Sequence, residues 1–194
     1  MKPKSKVLII AGSDSSGGAG IQADIKTVTS LGSYAMTAVT AVTAQNTMGV
    51  KQITPIPTKN VQKQITMILN DIGSDAVKIG MLHNASIIKC VYRILKKYNL
   101  KNIVLDPVMV AKGGTKLINN NSITYLKKLL LPLAKLITPN IPEAEVLIGC
   151  RILNKQDMIK AAKTILNMGS KNVLLKGGHL KSKMICDILA TKKG

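Results

Sequence analysis

Short apolar runs alternate with longer helix-like segments along this chain, and that alternation constrains the fold more than any other sequence feature. The runs are rich in β-branched residues and apolar nearly throughout, which is typical of strands that helices cover on both sheet faces. They lie at residues 7–12, 36–42, 76–81, 102–109, 136–140 and 172–177, and residues 52–56 are a further candidate strand. The helix-like segments lie at residues 18–31, 58–71, 85–98, 122–131 and 155–168. The sequence therefore predicts an α/β fold with a mainly parallel central sheet and helices on both faces.

No linker or change of composition divides the chain, so we expect residues 1–194 to form a single domain. The most apolar later stretch, residues 35–44, is interrupted by threonines, and no membrane span is expected. The cysteines, Cys90, Cys150 and Cys186, lie far apart and lack the spacing of metal ligands. Such cysteines suit a reducing cytoplasmic location.

The charge balance is strongly basic, with 28 Lys and Arg residues against nine Asp and Glu residues, a formal net charge of +19. A nucleic-acid interface is one interpretation, because basic patches neutralise phosphates. However, the lysines are scattered, and with four Tyr, no Phe and no Trp the chain lacks a platform on which bases could stack. The composition favours a lysine-rich surface whose field attracts an anionic nucleotide, and no nucleic-acid partner is expected.

A glycine-rich turn at residues 11–20 connects the first predicted strand to the first predicted helix. Glycines allow a close approach to a ligand, and a helix start offers free N–H groups. Residues 18–23 match the dinucleotide pattern G-x-G-x-x-A, but no acidic residue follows between Asp24 and Asp71 to bind a ribose. No G-K-[ST] follows either, so neither a dinucleotide site nor a Walker loop is predicted.

Asp24 lies within the apolar stripe of the first predicted helix, where a carboxylate is costly without a partner. The partner could be a backbone N–H or a lysine in the core, or the amino or hydroxyl group of a ligand. The adjacent glycine turn favours the ligand.

Three further polar groups follow predicted strands. Asn140 and Glu143 are three residues apart, which suits either oxygen ligands for Mg²⁺ or a helix capping arrangement. Lys176 ends a strand and could offer its charge to a phosphate, although an exposed strand-end lysine followed by a turn is also common. Asp106 closes an apolar strand, where an acid orients a lysine or metal-bound water, or forms an Asp-Pro turn.

Six stretches, taken in order, resemble the hydroxymethylpyrimidine and phosphomethylpyrimidine kinase family. They are residues 11–24 (AGSDSSGGAGIQAD), 40–49 (TAVTAQNTMG), 78–82 (KIGML), 104–109 (VLDPVM), 136–143 (LITPNIPE) and 176–180 (KGGHL). Each stretch alone is weak, but the ordered set is specific. The resemblance implies a ribokinase-like fold and a cytoplasmic enzyme of thiamine biosynthesis that phosphorylates the pyrimidine alcohol and then its monophosphate with ATP.

The resemblance also implies residue roles at the pyrimidine. Asp24 and Gln45 would form hydrogen bonds with the aminopyrimidine. Gly12, Met81 and Val108 would form the walls of its pocket.

A second set of roles concerns the nucleotide. By the same resemblance, Asn140 and Lys176 would bind the ATP phosphates, and Glu143 and Asp106 would hold Mg²⁺.

Relatives continue beyond the strand that resembles residues 186–190 into a glycine-rich G-T-G-C loop, which this sequence does not contain. The loop's backbone N–H groups hold the transferred phosphoryl group, so we expect missing C-terminal elements, impaired transfer and no assignable catalytic base. A homodimer or a second polypeptide that supplies the missing part remains open. So do a catalytically inactive pyrimidine-binding or regulatory module and another vitamin kinase, such as one acting on pyridoxal.

Overall fold

The computed structural model describes residues 2–109, 118–180 and 184–192. Its strands are β1 Lys6–Asp14, β2 Tyr34–Asn46, β3 Gly49–Pro55, β4 Ala76–Ile79, β5 Ile103–Leu105, β6 Leu136–Ile137, β7 Asn172–Leu175 and β8 Ile188–Thr191. They form one sheet in the order β3-β2-β1-β4-β5-β6-β7-β8. The inner pairs are parallel, while β3 and β8 run antiparallel at the two edges. The predicted α/β fold with a mainly parallel sheet is confirmed.

The helices are α1 Gly20–Ser30, α2 Thr58–Asp71, α3 Ala85–Lys97, α4 Asn120–Tyr125, α5 Ile141–Ile148 and α6 Lys155–Asn167. After α4 the helix widens into a π turn, Leu126–Leu130, and then tightens into a 3₁₀ turn, Leu131–Leu133. Helices α3, α4, α5 and α6 each begin after an asparagine. Its side chain accepts a hydrogen bond from the backbone N–H of the residue three positions later. Such caps satisfy N–H groups that the helix itself leaves unpaired.

The alternation of side chains along β1 divides the core into two unequal parts. Leu8 and Ile10 belong to the larger core, together with buried residues of α2, α3, α5 and α6. Ile9 and Ala11 point to the other face and pack with Ile21 of α1. Helices thus lie on both faces, as predicted, although in the described ranges α1 is the helix on the second face and packs on β1 and β2.

All the predicted strands differ somewhat in length from the observed ones, and β2 and β5 differ most. β2 is longer because it stays paired in parallel with β1 as far as Thr43 and also pairs antiparallel with β3, from Ala41 opposite Pro55 to Asn46 opposite Gly49. β5 is shorter than the predicted run at residues 102–109, since Pro107 follows it closely and cannot donate a ladder hydrogen bond. Of the helices in the described ranges, none has both the length and the apolar character to cross a membrane.

Candidate functional site

A cavity of about 200 Å³ opens at the carboxyl ends of β1, β2, β4 and β5. Four of the five residues predicted to contact a pyrimidine line it: Gly12, Gln45, Met81 and Val108. A Cβ atom at position 12 would overlap the Met81 methyl group, so glycine lets these two walls meet. The cavity thus lies at the carboxyl edge of the sheet, where open parallel sheets usually bind their ligands.

The glycine turn beside the cavity is organised around the buried carboxylate of Asp14. This carboxylate accepts hydrogen bonds from the Ser16 hydroxyl at 2.7 Å, and from the backbone N–H groups of Ser16, Ala19 and Gly18 at 2.8, 2.8 and 3.1 Å. Burial alone would raise the pKa of Asp14, but these hydrogen bonds outweigh it and hold the pKa below its ordinary value. The N–H groups that the sequence offers to a ligand are thus largely occupied by the protein's own carboxylate.

Gly20 permits a close approach between the start of α1 and the end of β1. Its φ of 56° lies in the left-handed region, and a Cβ atom there would overlap the carbonyl oxygen of Gly12. The glycine therefore lets α1 begin directly against Gly12, at the wall of the cavity.

Asp24 pairs with a lysine that the sequence analysis did not select. Its Oδ2 accepts a hydrogen bond from Nζ of Lys78 at 2.7 Å, and the two side chains are 20% and 24% exposed. Lys78 lines the cavity, whereas Asp24 is next to it through this ion pair and is not itself among the lining residues. The interpretation of Asp24 as the partner of a lysine therefore holds, and any contact with a ligand would be made beside that lysine.

The second cluster lies at the ends of β5, β6 and β7. Asp106 accepts hydrogen bonds at Oδ1 from Nζ of Lys176 and from the Thr138 hydroxyl, both at 3.1 Å. Asn140 and Glu143 form a complete capping box, in which each side chain accepts a hydrogen bond from the other residue's backbone N–H at 2.9 Å. Asn140 also pairs with Lys176 in an isolated parallel bridge. All four residues predicted for the nucleotide and metal are therefore neighbours.

Glu143 is only 4% exposed, and burial raises its pKa from 4.5 to about 7. The hydrogen bond from the Asn140 backbone offsets part of this effect, the negative charge of Asp106 adds to it, and the positive charge of Lys176 opposes it. At neutral pH the protonated and ionised forms of this carboxyl group are thus both well populated.

The donor set suits a magnesium ion that arrives with phosphate groups. Among the described residues, no group of three or more His, Cys, Asp and Glu side chains could hold a metal ion by itself. Asp106 and Glu143 supply two neighbouring carboxyl groups, and Mg²⁺ is commonly bound through one or two carboxylates together with substrate phosphates and water. The residues fit that mode and do not form an all-protein cage.

Two residues of this edge were missed from the sequence. Lys78 stands in a strand that is otherwise apolar, and a single charge in such a run is the signal that could have revealed it. Asp14 is followed by Ser16 and two glycines, a pattern typical of an aspartate that accepts hydrogen bonds from the following backbone.

An eight-stranded, mainly parallel sheet with a cavity at its carboxyl edge, together with its similarity to solved vitamin kinases, places the chain in the ribokinase-like class. The profile of the phosphomethylpyrimidine kinase family matches residues 14–194, and the chain belongs to that family. A crystal structure of phosphomethylpyrimidine kinase from Clostridium difficile 630 is similar, with a TM-score of 0.91 and 49% identity, over 98% of this chain and 82% of that one.

Two curated relatives are each 51% identical. They are the hydroxymethylpyrimidine/phosphomethylpyrimidine kinase of Haemophilus influenzae, over 92% of this chain and 66% of that protein, and the thiamine biosynthesis bifunctional protein ThiED of Geobacter sulfurreducens, over 96% and 38%. This chain thus spans less than two thirds of the length of either relative. The pyridoxal kinase of Staphylococcus aureus, solved in complex with pyridoxal, has a TM-score of 0.89 and 39% identity over 97% of this chain and 69% of that one.

Proposed function

We propose that this chain binds hydroxymethylpyrimidine and its monophosphate, and that the whole protein phosphorylates them with ATP in thiamine biosynthesis. The observation that carries the proposal is the position of Asp106, which lines the cavity and also pairs with Lys176 in the second cluster. A pyrimidine in the cavity would therefore lie beside the groups suited to phosphates. Phosphoryl transfer depends mainly on such alignment and on neutralisation of charge.

The residues of this chain would bind and orient the reactants. Gly12, Met81 and Val108 would enclose the pyrimidine ring. At its polar edge Gln45 would donate or accept a hydrogen bond, and the Asp24 carboxylate would accept one.

On the nucleotide side, Lys176 and Asn140 would contact the phosphates, and Asp106 and Glu143 would hold Mg²⁺. When bound, the ion would neutralise phosphate charge. We assign no catalytic base among the described residues.

The cellular setting and the partners follow from the same proposal. In the structure Cys90, Cys150 and Cys186 are all free thiols, which suits the reducing cytoplasm. Besides the pyrimidine and ATP, a homodimer or a second polypeptide that contributes to the site stays a prediction.

A second candidate is a pyridoxal kinase, because solved pyridoxal kinases of Staphylococcus aureus share this fold at 38–40% identity. The pyrimidine is favoured, since two relatives named for it are 51% and 49% identical to this chain.

The test compares ADP release from MgATP with hydroxymethylpyrimidine and with pyridoxal, alongside calorimetric binding of each compound without ATP. Faster turnover or tighter binding with the pyrimidine supports the proposal, and a preference for pyridoxal overturns it. Pyrimidine binding by a folded protein that releases no ADP would favour a pyrimidine-binding or regulatory module.

A further inference from the structure

Lys78 occupies an unusual position for a lysine. It lies in the middle of the sheet on β4, in register with Ile9 of β1 and Val104 of β5. Its neighbours in β4, Val77 and Ile79, are buried in the larger core. Because side chains alternate along a strand, Lys78 points to the opposite face, toward α1.

Gly80 leaves room for the end of this lysine side chain. A Cβ atom at position 80 would lie 3.1 Å from Nζ of Lys78 and 3.0 Å from Cβ of Ala11, both tighter than ordinary contacts. Gly80, Ala11 and Lys78 all line the cavity. The ammonium group therefore reaches the carboxyl edge of the sheet alongside Gly80 and faces the space available to a ligand.

The ion pair retains hydrogen-bonding capacity after its own bond is made. An ammonium group has three donors, and one of those on Lys78 is used by Oδ2 of Asp24. The second oxygen of Asp24, Oδ1, takes part in no hydrogen bond within the described ranges. The pair thus presents a donor and an acceptor side by side, with both side chains partly open to solvent.

We propose, on the basis of the proposed function, that Lys78 is a specificity-determining residue which reads the polar edge of the pyrimidine together with Asp24. An aminopyrimidine carries a ring nitrogen, which accepts, next to an exocyclic amino group, which donates. Lys78 donates to the ring nitrogen, and Asp24 accepts from the amino group. A 4-oxo analogue reverses this order, since its ring N–H faces the ammonium and its carbonyl oxygen faces the carboxylate. The pair therefore selects the amino compound through attraction and rejects the oxo compound through repulsion.

The experiment measures binding of 4-amino-5-hydroxymethyl-2-methylpyrimidine and of its 4-oxo analogue by calorimetry. It compares the wild type with Lys78→Met, which keeps the length of the side chain and removes its charge. The matched control is Lys63→Met on the exposed surface of α2. In the wild type and the control we expect a preference for the amino compound of about a hundredfold or more, the factor expected when a hydrogen bond to a charged group is lost. In Lys78→Met the preference should fall by about tenfold or more.

A structural role would give a different pattern. If Lys78→Met weakens both ligands by the same factor, or changes neither, the pair does not read the pyrimidine edge and the inference is wrong. If the wild type binds neither compound, the proposed function fails as well, so the two failures can be told apart.

A second variant guards against misfolding, because Lys78→Met leaves the Asp24 carboxylate without its cation. The double variant Asp24→Asn with Lys78→Met removes both charges, and a thermal melt checks its folding. It should lose the preference as the single variant does; a preference retained at the wild-type ratio overturns the inference.

Discussion

Glu143→Gln tests whether the second cluster holds a carboxyl group with a raised pKa. Because the folded pKa is about 7 and the ordinary value is 4.5, ionisation of Glu143 opposes folding. Its contribution to stability is complete below about pH 4.5 and is lost as the pH rises through 7. At about 1.4 kcal/mol per pKa unit, the loss is about 3 kcal/mol by pH 8.

Glutamine keeps the features of Glu143 that do not titrate. It has nearly the same shape, and its amide oxygen can still accept the hydrogen bond from the Asn140 backbone, as glutamine does in other capping boxes. The free energy of unfolding is measured with urea at pH 5, 6, 7 and 8 in the presence of EDTA. We expect the wild type to lose about 2–3 kcal/mol over this range relative to Glu143→Gln.

The matched control is Glu145→Gln, which removes a carboxylate from the same helix, where it contacts Arg151. This variant should retain the pH slope that Glu143 causes. Parallel pH profiles for the wild type and Glu143→Gln would refute the reasoning, because they would mean that burial and Asp106 do not hold the proton on Glu143.

Three further predictions concern the glycine turn and the cysteines. Gly20→Ala should lower the free energy of unfolding by about 2 kcal/mol or more, because it forces a side chain into the left-handed region against the end of β1. Gly49→Ala, where a Cβ atom meets nothing within 4 Å, should change it by less than about 0.5 kcal/mol; equal losses in urea denaturation would contradict the close approach. Asp14→Asn should cost about 1–3 kcal/mol at pH 7, and the difference from the wild type should shrink below about pH 4, because a lowered pKa stabilises the fold above the unfolded value of 3.8 and that gain is lost on protonation; an equal difference at pH 7 and pH 3 would count against it. Finally, an aromatic disulfide reagent should modify exposed Cys150 in the native protein but buried Cys90, whose pKa burial raises, only on unfolding, and similar native rates for the two would argue against the described packing.

Much of the sheet could be predicted from the sequence, because apolar β-branched runs between helix-like segments report burial on both faces. The edges were harder. The extension of β2 depends on its pairing with β3, and no local pattern marks where a strand leaves the parallel part of a sheet. The unequal cover of the two faces was also out of reach, since the apolar stripe of α1 does not say which strands it will cover.

The candidate site was predicted only in part, for a related reason. Motif positions brought Gly12, Gln45, Met81 and Val108 to one cavity, because the carboxyl ends of parallel strands meet at one edge. The pairing of Asp24 with Lys78 joins residues 54 positions apart, and only the register of β4 against β1 brings them together.

Asn140 and Glu143 show why one spacing can carry two interpretations. The three-residue interval predicted either a capping box or oxygen ligands, and the structure shows the capping box beside Asp106 and Lys176. Burial of the capping carboxyl group and the nearby charge of Asp106 raise the pKa of Glu143, an effect that neither interpretation of the spacing predicts.

Although the chain has a net charge of +19, its few acidic residues are concentrated at one edge of the sheet. Of its nine Asp and Glu residues, four border the cavity or the adjoining cluster: Asp14, Asp24, Asp106 and Glu143. Two of the three ion pairs between described residues lie there as well. Most other lysines in the described ranges are exposed and form no ion pair with an acid, so together they supply a broad positive field that attracts anions without choosing among them. We therefore expect the selectivity of this edge to depend on the carboxylates and on the lysines paired with them, rather than on the net charge.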